Sequence, residues 1–314
     1  MLKKIGFVSI ALFIFGFSAT LMGNEWANYY FPDTVGSSWT YEDQDGNELT
    51  RYAVEPEAID GETYRAFSYE PPLENWTDFE HYVQPYFYQI GDASVAFFVG
   101  SEIENASKAV KSRQIDKIIS QAREEIQQDA ATQGLNISVE IDYDVAVESQ
   151  EHFYLLPTPA TFNEEWTALT LNLVANMTTE FKGMPEIPGV PTKQTVITHT
   201  SLVETGNVTG TETVETSAGT FADCLVIEYR TDASIMIVPP EIAALEGNPE
   251  PVHQEQKDVS LATLWLAPSV GIVKFVHNHQ LSEEEKTLGL EPPEEKTLEL
   301  TRYEIKSSVS QGGK

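Results

Sequence analysis

The sequence predicts a mainly β protein: a strongly curved antiparallel sheet, or two sheets built from related halves, with one long amphipathic helix. Three observations predict it. Apolar residues recur with a period of two through most of residues 24–306. One stretch alone, residues 102–133, changes to the helical period. The strand segments are joined by turn residues and not by further helices, and that connection suits antiparallel neighbours.

The elements follow in order. Residues 37–54 read as a β-hairpin turning at Asp45-Gly46, a dipeptide that tolerates the positive φ of a tight turn. Aromatic-rich strands are expected at 63–69, 82–90 and 94–99. In the helix at 102–133, Ile115, Ile118, Ile119, Ala122 and Ile126 mark an apolar face, and Gly134 stands where a helix stops. Lys108, Lys111, Arg113, Lys117 and Arg123 make its outer face the least acidic part of the chain. Strict alternation returns at 137–147 and at 169–177, each with one buried and one wetted face. A proline-bearing connector, 184–191, leads to strands at 193–204, 210–216, 220–232, 259–266, 271–279 and 298–305. In the last strand the apolar phase slips between Leu300 and Tyr303, which predicts a bulge at Thr301 and Arg302. Two acidic, proline-bearing loops, 239–257 and 282–296, interrupt the set. Residues 307–314 form a polar tail.

The domain reading is a signal segment at 1–23, a β-rich exported domain at 24–306 with halves at 24–183 and 192–306, and the 307–314 tail. Lys3 and Lys4 ahead of an apolar run to Gly23 have the layout of a secretory signal, with cleavage near Gly23 or retention as an anchor as the two outcomes. The expected location is therefore the periplasm, cell surface or exterior, with membrane contact only through that segment. Pro32 with Trp39-Thr40 and Pro159 with Trp166-Thr167 share a spacing, a weak echo between parts of the chain.

Composition excludes some functions. A net charge of −30 repels phosphate backbones and anionic headgroups, so a nucleic-acid partner is not expected. The sole cysteine, Cys224, lies in the apolar run 221–227 and reads as a buried small hydrophobe. No Gly-x-Ser-x-Gly elbow is present. His277 and His279 sit two apart on one strand face, so both imidazoles could reach one metal ion, but further ligands cannot be picked from His152, His199 or the acids. Residues 43–48 alternate oxygen ligands ahead of Gly46, yet a hairpin turn accounts for all of them. The aromatic residues Trp39, Tyr41, Tyr52, Tyr64, Phe67 and Tyr82, with the run Tyr86 to Tyr88, read first as core; the concave face of a curved sheet is also a place for an apolar ligand.

Two segments carry a resemblance. Residues 216–225, with Gly219-Thr220-Phe221, and residues 264–274, with Ala267-Pro268-Ser269-Val270-Gly271-Ile272-Val273-Lys274, resemble phrases of exported bacterial β-proteins of unknown function. Tyr30-Phe31-Pro32, Gly36, Trp39 and Tyr41 are similar to their first strand. The resemblance implies a half-barrel-like sheet similar to those of periplasmic lipoprotein carriers, and it implies no reaction. The long helix and the acidic loops depart from that pattern.

No residue is assigned a catalytic, cofactor or metal role. The expectation is a non-catalytic module binding an apolar ligand or an envelope protein; the alternative is a metal-assisted hydrolase using His277 and His279.

Overall fold

The computed structural model describes residue 29 and residues 34–73, 81–91, 94–132, 138–157, 160–183, 192–238, 252–280 and 294–306. The signal segment, the 184–191 connector, most of both acidic loops and the tail lie outside the described residues.

Period-two alternation produces β1 (Ser38–Asp43), β2 (Glu48–Ile59), β3 (Glu62–Glu70), β4 (Phe87–Ile90) and β5 (Ser94–Phe98). The helix α1 (Gly100–Thr132) follows. After it come β6 (Ser138–Ser149), β7 (His152–Pro157), β8 (Glu165–Lys182), β9 (Lys193–Thr216), β10 (Gly219–Val238), β11 (Val252–Ala267), β12 (Gly271–His279) and β13 (Lys296–Glu304). All thirteen join one antiparallel sheet, ordered β6-β8-β9-β10-β11-β12-β13-β1-β2-β3-β4-β5-β7. Strands from both sides of the 184–191 connector therefore belong to the same sheet.

The order has a crossing built into it. Strands β6 and β7 are consecutive in the chain, separated by Gln150 and Glu151, yet they occupy opposite edges of the sheet. A two-residue link can join two edges only if the sheet curls until they meet. The packing shows that curl: Phe153 of β7 and Tyr229 of β10 lie 5.3 Å apart between ring centroids, and Tyr82 packs on both and on Phe275 of β12. Among the described residues no ladder of backbone hydrogen bonds closes the sheet, and a single one, from Gln150 N–H to Thr170 O at 3.2 Å, lies beside the seam. Side chains bridge the seam between β7 and β8 instead: Trp166 Nε1 donates to Tyr154 O at 2.8 Å, Gln150 Nε2 donates to Ala168 O at 2.8 Å, and Tyr229 OH donates from β10 to Leu155 O at 2.7 Å.

The predicted hairpin is present, and its turn takes up Asp43, the first of the alternating oxygen ligands at 43–48. Asp43 Oδ1 accepts from the backbone N–H groups of Asp45 and Asn47, and Gly46 takes a φ of 80°. The predicted bulge is also present, since Thr40 pairs with Arg302 and Tyr41 with Leu300, leaving Thr301 unpaired in the register. Six of the nine aromatic residues of the stripe are core, Trp39, Tyr41, Tyr64, Phe67, Tyr82 and Tyr88, whereas Tyr52, Tyr86 and Phe87 are half-buried. Trp39 Nε1 and Tyr41 OH reach over β13 to donate to Val270 O and Ile272 O at the start of β12.

Several boundaries differ from expectation. The strand expected at 82–90 covers only 87–90, because Tyr82 turns inward as a side-chain anchor ahead of it. The strands expected at 193–204 and 210–216 are one strand, β9; the glycines between them hold extended backbone where Trp166 lies against Gly206. Strand β11 begins at Val252 and β13 at Lys296, both inside the stretches expected to be loops. The helix buries Ile103, Ile115 and Ile119, whereas Ile118 is 58% exposed. It rests chiefly on β6, held by Tyr143 OH donating to Asp116 Oδ1 and by the Ser149 N–H donating to Glu104 Oε1. A 33-residue helix is about 50 Å long. This one carries the chain from β5, near one edge of the sheet, to β6 at the other.

Candidate functional site

Because α1 seats on β6 with so narrow a face, it stands off from the middle of the sheet, and a cavity of about 630 Å³ lies between them. That volume falls within the ~300–1,000 Å³ usual for small-molecule sites. The helix wall includes Ile103, Ala106, Ser107, Val110, Lys111, Arg113 and Gln114. The opposite wall is the inner face of β8 through β12.

The register orders that inner wall. In one row across the sheet, Leu169 of β8 pairs with Glu204 of β9, Glu204 with Thr231 of β10, Thr231 with Ser260 of β11, and Ser260 with His279 of β12. The next row is Leu171, Leu202 and Ala233, each two residues along its strand, with Gln256, four residues along β11, as the partner of Ala233. All of these side chains line the cavity. A mostly polar row thus runs beside a mostly apolar one. Between the rows the β10–β11 register slips at Thr231/Ala233, a bulge of the kind that re-aims side chains at the wall of a site.

Glu204 is the deepest charged group here. It is 4% exposed, and its Oε2 lies 3.1 Å from His81 Nε2. Its Oε1 is buried and has no hydrogen-bond partner among the described residues. Leaving a buried acceptor unsatisfied costs about 1–3 kcal/mol. Beside it, Ser260 Oγ donates to Thr231 Oγ1 at 3.1 Å. On the helix wall Lys111 is half-buried, and loss of hydration lowers its ammonium from the ordinary lysine value.

The structure brings His277 and His279 together, with ring centroids 5.0 Å apart, and both line the cavity. His152 goes elsewhere, to the Tyr64 hydroxyl at 3.0 Å, and His199 does not line the cavity. The histidine that joins the pair is His81. Among the described residues, no three His, Cys, Asp or Glu side chains converge as a metal-ligand set. Cys224 is fully buried and donates to Phe221 O at 3.4 Å; burial pushes its thiol up to about 11, so it is an inert core residue as expected.

The residues missed at the level of sequence are Glu204 and His81. Glu204 carried a readable signal: Leu202, Glu204, Gly206 and Val208 share one phase of β9, and an acid among inward positions is out of place. His81 had no such signal, since it precedes β4 and depends on the tertiary fold for its position. A second, smaller cavity of about 230 Å³ lies against β2, β3 and β4. Its charged member, Arg65, already donates to the Tyr88 hydroxyl.

No protein-family model and no curated protein matches the sequence. Two solved structures are similar over most of their length. One is a candidate lipoprotein from Parabacteroides distasonis, 13% identical, covering 87% of this chain and 97% of its own, with a TM-score of 0.29. The other is a candidate exported protein with a YmcC-like fold from Bacteroides fragilis, 13% identical, covering 88% of this chain and 98% of its own, with a TM-score of 0.30. Likeness at this level carries no argument about function.

Proposed function

We propose that this protein is a non-catalytic, exported binding protein that holds an apolar or amphipathic small molecule between α1 and the inner face of the sheet. The observation that carries the reading is the cavity itself: about 630 Å³ of space, walled by Leu169, Leu171, Leu173 and Leu202 on one side and Ile103 and Val110 on the other. Packing a helix tightly onto a sheet would remove such a space, because interiors are close-packed and voids cost stability. The Lys3-Lys4 and apolar layout of residues 1–23 supports a place outside the cytoplasm.

The test is titration of the full chain with the apolar fluorophore N-phenylnaphthylamine, alongside the variant Ala233→Trp. Ala233 is buried on the cavity wall, so an indole there takes up space in the cavity, and Ala233 itself is neither a seam residue nor one of α1's anchors on β6. The wild type should enhance the dye's fluorescence. The variant should bind about tenfold or more weakly while keeping its circular dichroism spectrum. Equal binding by both proteins, or none by the wild type, would sink the reading.

A further inference from the structure

We propose that the cavity selects an amphiphile with a hydroxylated, uncharged head, a glycerol or a sugar, and that the row Glu204–Thr231–Ser260–His279 reads that head. The inference rests on the binding reading above and adds the chemistry of the ligand.

Four strands place these residues side by side as ladder partners, so their spacing is fixed by the sheet and not by a loop. Their chemistry is mixed. Glu204 offers a buried oxygen that no described group satisfies. Thr231 and Ser260 offer hydroxyls already within 3.1 Å of each other, each able to donate and accept. His279 and the neighbouring His277 add ring nitrogens at the far end. A polyol head has the complementary pattern, because every hydroxyl both donates and accepts, and adjacent hydroxyls can meet adjacent strands.

Charged heads fit less well. A carboxylate or phosphate would meet the buried Glu204 carboxylate with like charge and could not donate to its open oxygen. The basic lining residues do not reverse this. Arg113 is exposed, and Lys111 and Lys296 are only half-buried, whereas Glu204 is 4% and Ser260 6% exposed. Glu204 and Ser260 therefore stand at the inner wall, Thr231 is half-buried like the two lysines, and Arg113 stands at the rim, as does His279 at the end of the row. An ammonium head would satisfy Glu204 and could donate to the hydroxyl oxygens, but it has no lone pair to accept from their O–H groups, whereas a polyol does both. The chain of the amphiphile would lie along the next row, against Leu171, Leu202 and Ala233, two residues away on the same strands.

The experiment compares four twelve-carbon amphiphiles on the full-length protein, each below its micellar concentration, by calorimetry: monolauroylglycerol, dodecyl glucoside, lauric acid and dodecylammonium. The first two are the two sources of a polyol head and are distinguished by which binds more tightly. Wild type should prefer at least one of them over both charged ligands by about tenfold, the scale of one or two net hydrogen bonds. The double variant Thr231→Val, Ser260→Ala should shrink that preference to within about threefold while leaving the affinity for lauric acid unchanged. Equal or tighter binding of lauric acid or dodecylammonium by the wild type overturns the assignment of the head and leaves the binding reading standing. Binding of none of the four overturns the binding reading itself. Should the double variant not fold, the wild-type series still decides.

Discussion

The seam where the sheet meets itself makes a prediction that changes sign with background. Gly206 of β9 faces Trp166 of β8, and a Cβ built on Gly206 would lie 2.6 Å from Cε2 and 2.9 Å from Cη2 of the indole, and closer still to Cζ2. The ring must then move. Overpacking of this kind costs about 1–3 kcal/mol. Moving the indole also loosens its 2.8 Å bond to Tyr154 O, about 1 kcal/mol. Its edge-on contact with Tyr229, at 6.2 Å and 83°, adds about 0.5–1 kcal/mol. Gly206→Ala should therefore lose about 2.5–5 kcal/mol by the overpacking and lost-contact figures above. In a Trp166→Ala background the obstacle is gone, and the same substitution should gain about 0.5 kcal/mol, because alanine is less costly than glycine in a strand. Urea unfolding followed by far-ultraviolet circular dichroism on the four proteins of the cycle measures this, each fitted with its own native and unfolded baselines. An equal loss from Gly206→Ala in both backgrounds would refute the idea that the indole is what Gly206 accommodates.

Three further outcomes are expected. Arg51 is fully buried among Phe67, Trp39 and Tyr41, its guanidinium 4.7, 5.2 and 5.3 Å from their rings and its Nη2 donating to Tyr41 OH at 2.6 Å. Arg51→Met should cost about 2–4 kcal/mol in the same urea assay, and a variant as stable as wild type would show that the cage gains nothing from the cation. Burial pushes Glu102, in the first turn of α1, up to about 7 from 4.5. Between those values the folded protein keeps a proton that the unfolded chain has released, so stability falls as pH rises through that window. Glu102→Gln should match wild type in melting temperature near pH 4 and exceed it near pH 8; a constant offset at both would count against the titration. Cys224 should react with a thiol reagent only as fast as the protein unfolds, and labelling complete within the native state's lifetime would contradict its burial.

Much of this architecture was legible in the sequence for a local reason. Alternation at 137–147 and 169–177 reports which side of a strand is wet, and the slip between Leu300 and Tyr303 marks a bulge directly. Strand limits were less legible. Trp166 and Gly206 create a contact between strands that no window along β9 contains, and so the continuity of that strand stays hidden. The helix face was misjudged at Ile118 because periodicity says which residues share a side and not how far a helix stands from its sheet. That standoff is what makes the cavity. His277 and His279 were visible as a pair, but their setting depends on His81 and Glu204, 123 residues apart. Only Glu204, an acid in phase with inward residues, left a trace along the chain.

The pairing of β1 with β13 bears on how this chain is made. The two ends of the described domain meet in the middle of the sheet, with Ser38 opposite Glu304, not at its margins. During vectorial synthesis β1 would wait with one flank open until the last strand emerges, so the nascent protein carries its most vulnerable edge at the centre. A stop codon before Lys296 would not trim a border. It would part the sheet into two sectors, β1 to β5 with β7 and β6 with β8 to β12. Quality control acting on such a molecule would meet a protein cut through its keystone.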